Sequence, residues 1–85
     1  MPTFPHPTFK TSDLSFAAFL RVAGVPFVGT EREQDKIHFL FEPVAGPSSL
    51  RSLKSEFYAG TAKVSALEYA RMIRDLKTLV HTLLR

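Results

Sequence analysis

Residues 65–85, SALEYARMIRDLKTLVHTLLR, constrain this chain more than any other stretch. Tyr69, Met72, Leu76, Leu79 and Leu83 alternate steps of three and four, and Ile73, Val80 and Leu84 widen that row into a broad apolar stripe. At about 100° per residue, Arg74, His81 and Arg85 fall nearly opposite the stripe, flanked by Arg71 and Lys77. Ser65-Ala66-Leu67-Glu68 fits a capping box, and Val64 and Tyr69 are spaced for a hydrophobic staple. No Gly or Pro interrupts the segment. The pattern predicts one amphipathic helix of roughly five to six turns. Its cations crowd toward the C-terminal end, where they favour the helix dipole.

Such a helix is long for a chain of 85 residues, which makes one domain. A domain of this size hides only roughly 60–65% of the surface its unfolded chain exposes. Either the whole stripe packs on the domain's own core, or its end, at Leu79, Val80, Leu83 and Leu84, overhangs and meets a second copy. A homodimer through this helix is the expectation, since that contact adds stability. Three heptads without regular flanking charge pairs are too few for a coiled coil.

Upstream, the chain divides cleanly. Pro2, Pro5 and Pro7 make residues 1–8 an extended tail. Residues 8–11 fit a short strand with Phe9 facing inward. Ser12 or Thr11 can cap a first helix, with Asp13 at the positive end of its dipole. Leu14, Phe16, Ala17, Ala18, Phe19, Leu20 and Val22 make that helix apolar around much of its circumference, hence buried. Gly24 is the expected left-handed stop, and Pro26 forbids continuation.

Residues 25–30 and 36–42 read as two antiparallel strands joined by a polar hairpin tip at residues 31–35. In the second, Ile37, Phe39 and Phe41 face the helices, and His38, Leu40 and Glu42 face away. After the Pro43-to-Pro47 break, Ser48 or Ser49 caps a helix over residues 50–59 that buries Leu50, Leu53 and Phe57, with Gly60 past its end. Residues 61–64 are a link, or one more short strand. The fold class is therefore α+β over residues 9–85, in the order β-α-β-β-α-(β)-α, a small antiparallel sheet covered by helices. With both short strands formed, the first six elements match the ferredoxin-like split order.

Thr11-Ser12-Asp13-Leu14, Ala17-Ala18-Phe19-Leu20, Gly24, Phe39-Leu40-Phe41, Phe57-Tyr58-Ala59-Gly60, Val64, Tyr69 and Ile73-Arg74-Asp75-Leu76-Lys77 occur in a familiar order. Over residues 9–81 the chain resembles a family of small domains of unknown function found in bacteria and their phages. The resemblance brings no activity to particular residues. It implies a setting, that of a compact accessory protein encoded by a phage or mobile element.

Composition narrows the chemistry. The absence of cysteine removes disulfides, zinc thiolates and thiol nucleophiles, and suits a reducing cytoplasm, here that of a bacterial host. No apolar run approaches a membrane span, and the N-terminus lacks the pattern of a secretory leader. His6, His38 and His81 show no metal-ligand spacing, and the four glycines form no nucleotide cradle. Ser12, Ser48 and Ser65 stand where helix caps belong. Glu31, Glu33 and Asp35 can meet a cation, but a solvated hairpin tip accounts for them. No enzyme, cofactor or metal is expected.

A net charge of +3 permits an anionic partner. Arg71, Arg74, Lys77, His81 and Arg85 form one basic band, and Arg51, Lys54 and Lys63 extend it toward the second helix. Such a band contacts phosphates. Single-strand binders add surface aromatics, for which Phe4, Tyr58 and Tyr69 are the candidates. The expected function is a non-enzymatic module that contacts nucleic acid or a nucleoprotein complex through this face. The alternative is a protein-directed modulator, such as an inhibitor of a host defence enzyme, docking through Leu40 or the end of the apolar stripe.

Overall fold

A computed structural model describes residues 8–43 and 49–84. Strand β1 (Phe9–Thr11) leads into helix α1 (Leu14–Val22), the hairpin β2 (Phe27–Glu33) and β3 (Lys36–Phe41), then α2 (Leu50–Ala59) and α3 (Ala66–Leu83). The three strands form one antiparallel sheet in the order β1-β3-β2. Residues 61–64 form no strand, so the ferredoxin-like arrangement is not completed.

Helix α1 lies at the centre. Phe16 to Leu20 are five consecutive residues at 0–3% exposure, which no helix with one solvated face can achieve. One side meets Ile37, Phe39 and Phe41 from β3, and the others meet α2 and α3. Asp13, not Ser12 or Thr11, is its N-cap. Its backbone is extended and its carboxylate accepts from the Phe16 N–H at 3.2 Å, while Thr11 Oγ1 accepts from the Asp13 N–H at 3.1 Å. Gly24, at φ 88°, ends the helix in a Schellman motif, with Val25 N–H donating to Leu20 O and Gly24 N–H to Arg21 O. Gly60, at φ 78°, closes α2 with the same pair of bonds, and Ser49 opens it.

The hairpin departs from expectation. Glu31, Arg32 and Glu33 are strand residues, and the turn is only Gln34-Asp35, with Gln34 at φ 58°. The strand also starts later, at Phe27, with Val28 the extra residue of a bulge. Charged residues hold these ladder positions because each finds a partner. Lys10 Nζ reaches Glu31 at 3.5 Å across β3, and Glu33 lies 3.6 Å from His38. Arg32 points to the helical side and donates to Leu83 O at 3.1 Å.

The C-terminal end of α3 is half-buried on the domain: Val80 and Leu84 share a cleft with Asp35, Lys36, Ile37 and Phe39, and Leu79, Val80, Leu83 and Leu84 pack against the core. Helix α3 is otherwise as its periodicity predicts: unbroken, with Leu76 buried at its middle and Ser65 Oγ accepting from the Glu68 N–H at 3.3 Å.

Candidate nucleic-acid interface

The solvent face of α3 follows from its period. With Leu76 turned inward, Arg71, Arg74, Lys77 and His81 are all exposed. Arg74, Lys77 and His81 lie within an arc of about 60° and about 10 Å of helix. Arg71 shares a shallow groove with Arg21, Glu68 and Asp75, so its charge is partly offset. Thr78 and Thr82 donate their hydroxyls back to the carbonyls four residues earlier, at 3.0 and 2.9 Å, which occupies them within the helix. Arg85 falls outside the described residues.

The second helix carries its own cations. Arg51 and Lys54 are exposed on α2, and Lys63 is exposed in the link between α2 and α3. Helix α1 packs against both α2 and α3, and α2 and α3 make little contact with each other, so Arg51 and Lys54 stand on a different helix from Arg71, Arg74, Lys77 and His81. Among the described residues the only Lys or Arg within contact distance of a carboxylate is Lys10, beside Glu31, so none of these six lysines and arginines is neutralised at contact distance. Residues 49–84 hold six Lys or Arg against three Asp or Glu, whereas the hairpin, residues 27–42, holds two against four. Positive charge thus gathers on the two C-terminal helices and negative charge on the hairpin.

Three contacts had no local sequence signal. Tyr58 donates its hydroxyl to Asp13 Oδ2 at 2.6 Å, joining the free oxygen of the α1 cap to α2. That hydrogen bond, with burial and the carboxylate charge adding to it, pushes the phenol up to about 12. Tyr69 donates to Ser15 O at 3.0 Å and ties α3 to α1. Arg32 supplies an acceptor-seeking cation to the C-terminal end of α3. Each pairs residues more than 40 positions apart, and only the fold brings them together.

Leu40 does not provide the apolar docking surface expected of it. It is 8% exposed, on the face of β3 away from the helices, where Lys10 stands opposite it and reaches Glu31 across the strand. Among the described residues the large apolar ones that stand exposed are Val28, Tyr58, Val64 and Leu67. Among the described residues, no cluster of His, Asp and Glu could hold a metal ion, and no helix is long and apolar enough to cross a membrane.

The family model of a domain of unknown function, DUF5659, matches residues 6–81. The chain belongs to the DUF5659 family. No curated protein and no solved structure matches it. The matched span runs from residue 6 to all but the last two residues of α3, so Arg51, Lys54, Lys63, Arg71, Arg74, Lys77 and His81 of this DUF5659 domain lie inside it.

Proposed function

We propose that this domain is a non-enzymatic binding module of a phage or mobile element, working in the cytoplasm of a bacterial host, that contacts nucleic acid or a nucleoprotein complex through the outward side of α3. The observation that supports this reading is the set Arg74, Lys77 and His81 on one solvent face, with no acidic side chain at contact distance among the described residues. Phosphates would neutralise Arg74 and Lys77 and release counterions. The acidic hairpin would steer the domain, turning the helical side toward a polyanion.

The test is binding of labelled single- and double-stranded oligonucleotides at low salt to the wild type and to the Arg74→Glu/Lys77→Glu variant. The expected result is binding that the double change abolishes. Binding indifferent to it, or no binding at low salt, removes the reading. Protein docking is the second reading. Val64 and Leu67, 38% and 62% exposed at the start of α3, favour it, as an apolar patch beside the basic face. Loss of a protein partner with Leu67→Lys, and no oligonucleotide binding, would select it.

A further inference from the structure

Among the surfaces of this domain, the outer side of α2 combines features that the basic face of α3 lacks. Arg51, Lys54 and Tyr58 fall within an arc of about 60° on that helix. With Phe9, Leu50 and Ser55 they line a groove of about 560 Å³, mostly apolar at its floor and cationic at its rim. Tyr58 is 57% exposed, yet it is not a loose side chain. Its hydroxyl is held by Asp13 at 2.6 Å, and its ring rests against Phe16 and Phe57, with centroids 5.5 and 5.1 Å away. An exposed aromatic ring fixed at both ends costs little entropy when something stacks on it.

We propose that this groove takes an unpaired base of a single-stranded nucleic acid on the face of Tyr58, with the flanking phosphates on Arg51 and Lys54. The inference rests on the nucleic-acid reading and makes it specific, since the strand bound is single and the contact that selects it is on α2, not α3. The charge of the rim matches phosphate, and the exposed ring matches a base face. A duplex keeps its bases stacked internally and offers no such face to a tyrosine, so it would use the cations alone.

The experiment measures affinity for a short oligothymidylate and for a duplex of the same length, using wild type, Tyr58→Leu, Tyr58→Phe and Arg51→Gln/Lys54→Gln. Tyr58→Leu is expected to weaken the single strand about 5- to 150-fold and leave the duplex unchanged. Tyr58→Phe should retain most of the affinity, because the ring remains. The exposed double glutamine change provides a variant whose folding is not at issue, and it should weaken the single strand as well. Equal losses on both ligands with Tyr58→Leu, or no loss with either α2 variant, overturn the groove. In that case binding that still depends on Arg74 and Lys77 leaves the α3 reading standing. Sensitivity to Tyr58→Leu alone keeps the groove and removes α3, and no binding of either ligand by the wild type overturns both.

Discussion

The guanidinium of Arg32 donates to the carbonyl of Leu83 at 3.1 Å, and its Nε donates to Gln34 O at 2.8 Å. One side chain thereby braces the hairpin turn and the C-terminal end of the long helix, where four carbonyls lack intrahelical partners. It explains how a helix of 18 residues finds a floor in so small a domain. Arg32→Ala should destabilise the protein by about 1 kcal/mol, the value of an ordinary hydrogen bond and below that of a charged one because the site is exposed. For a domain of this size that lowers Tm by about 4–8 °C. A thermal melt with Tm unchanged would show that the contact carries no stability.

Tyr58 should titrate far from an ordinary phenol. Absorbance of tyrosinate followed against pH on a Tyr69→Phe background should show the remaining phenol ionising near 12. Asp13→Asn should bring it back toward about 10. The folded value lies above the unfolded one. The contribution to stability is therefore fully present below about pH 10 and is lost as pH rises toward 12. A phenol that titrates normally would mean that Asp13 does not hold it.

Leu76 and Leu83 separate core from interface. Leu76, 4% exposed, should cost about 2–5 kcal/mol when changed to Ala, enough to unfold a marginal domain. Leu83→Asp should also act through folding, lowering Tm, because Leu83 packs against the core. Light scattering on both proteins distinguishes this from an interface role. A folded wild-type dimer converted to a folded monomer by Leu83→Asp would contradict it.

Gly24→Ala should destabilise by about 1–2 kcal/mol, because its φ of 88° is costly for any residue with a Cβ even though the space around it is open. A melt indistinguishable from wild type would show that the Schellman turn relaxes.

What was legible in the sequence was local and periodic. The row from Tyr69 to Leu83 gave α3 and its inward side, the apolar circumference of α1 gave its central place, and Gly24 and Gly60 gave two helix ends. The alternation of Ile37, Phe39 and Phe41 gave the buried face of β3. The hairpin misled because Glu31, Arg32 and Glu33 look like a solvated tip until Lys10, Leu83 and His38 stand opposite them. Arg51, Lys54, Lys63, Arg71, Arg74, Lys77 and His81 are exposed, as their off-stripe and link positions predict, but how the two helices that carry most of them pack is not encoded in spacing along the chain. The α2 groove needs Phe9 from the far end of the chain, so no window of sequence contains it.

The most direct test of the central claim is the salt dependence of single-strand binding. For wild type and for Arg71→Gln/Arg74→Gln/Lys77→Gln, log K is measured against log salt concentration. If those three side chains meet phosphates, the slope becomes shallower by about 2 in the variant, at roughly 0.7 per phosphate contact. A slope the same in both proteins would mean that the solvent face of α3 touches no phosphate.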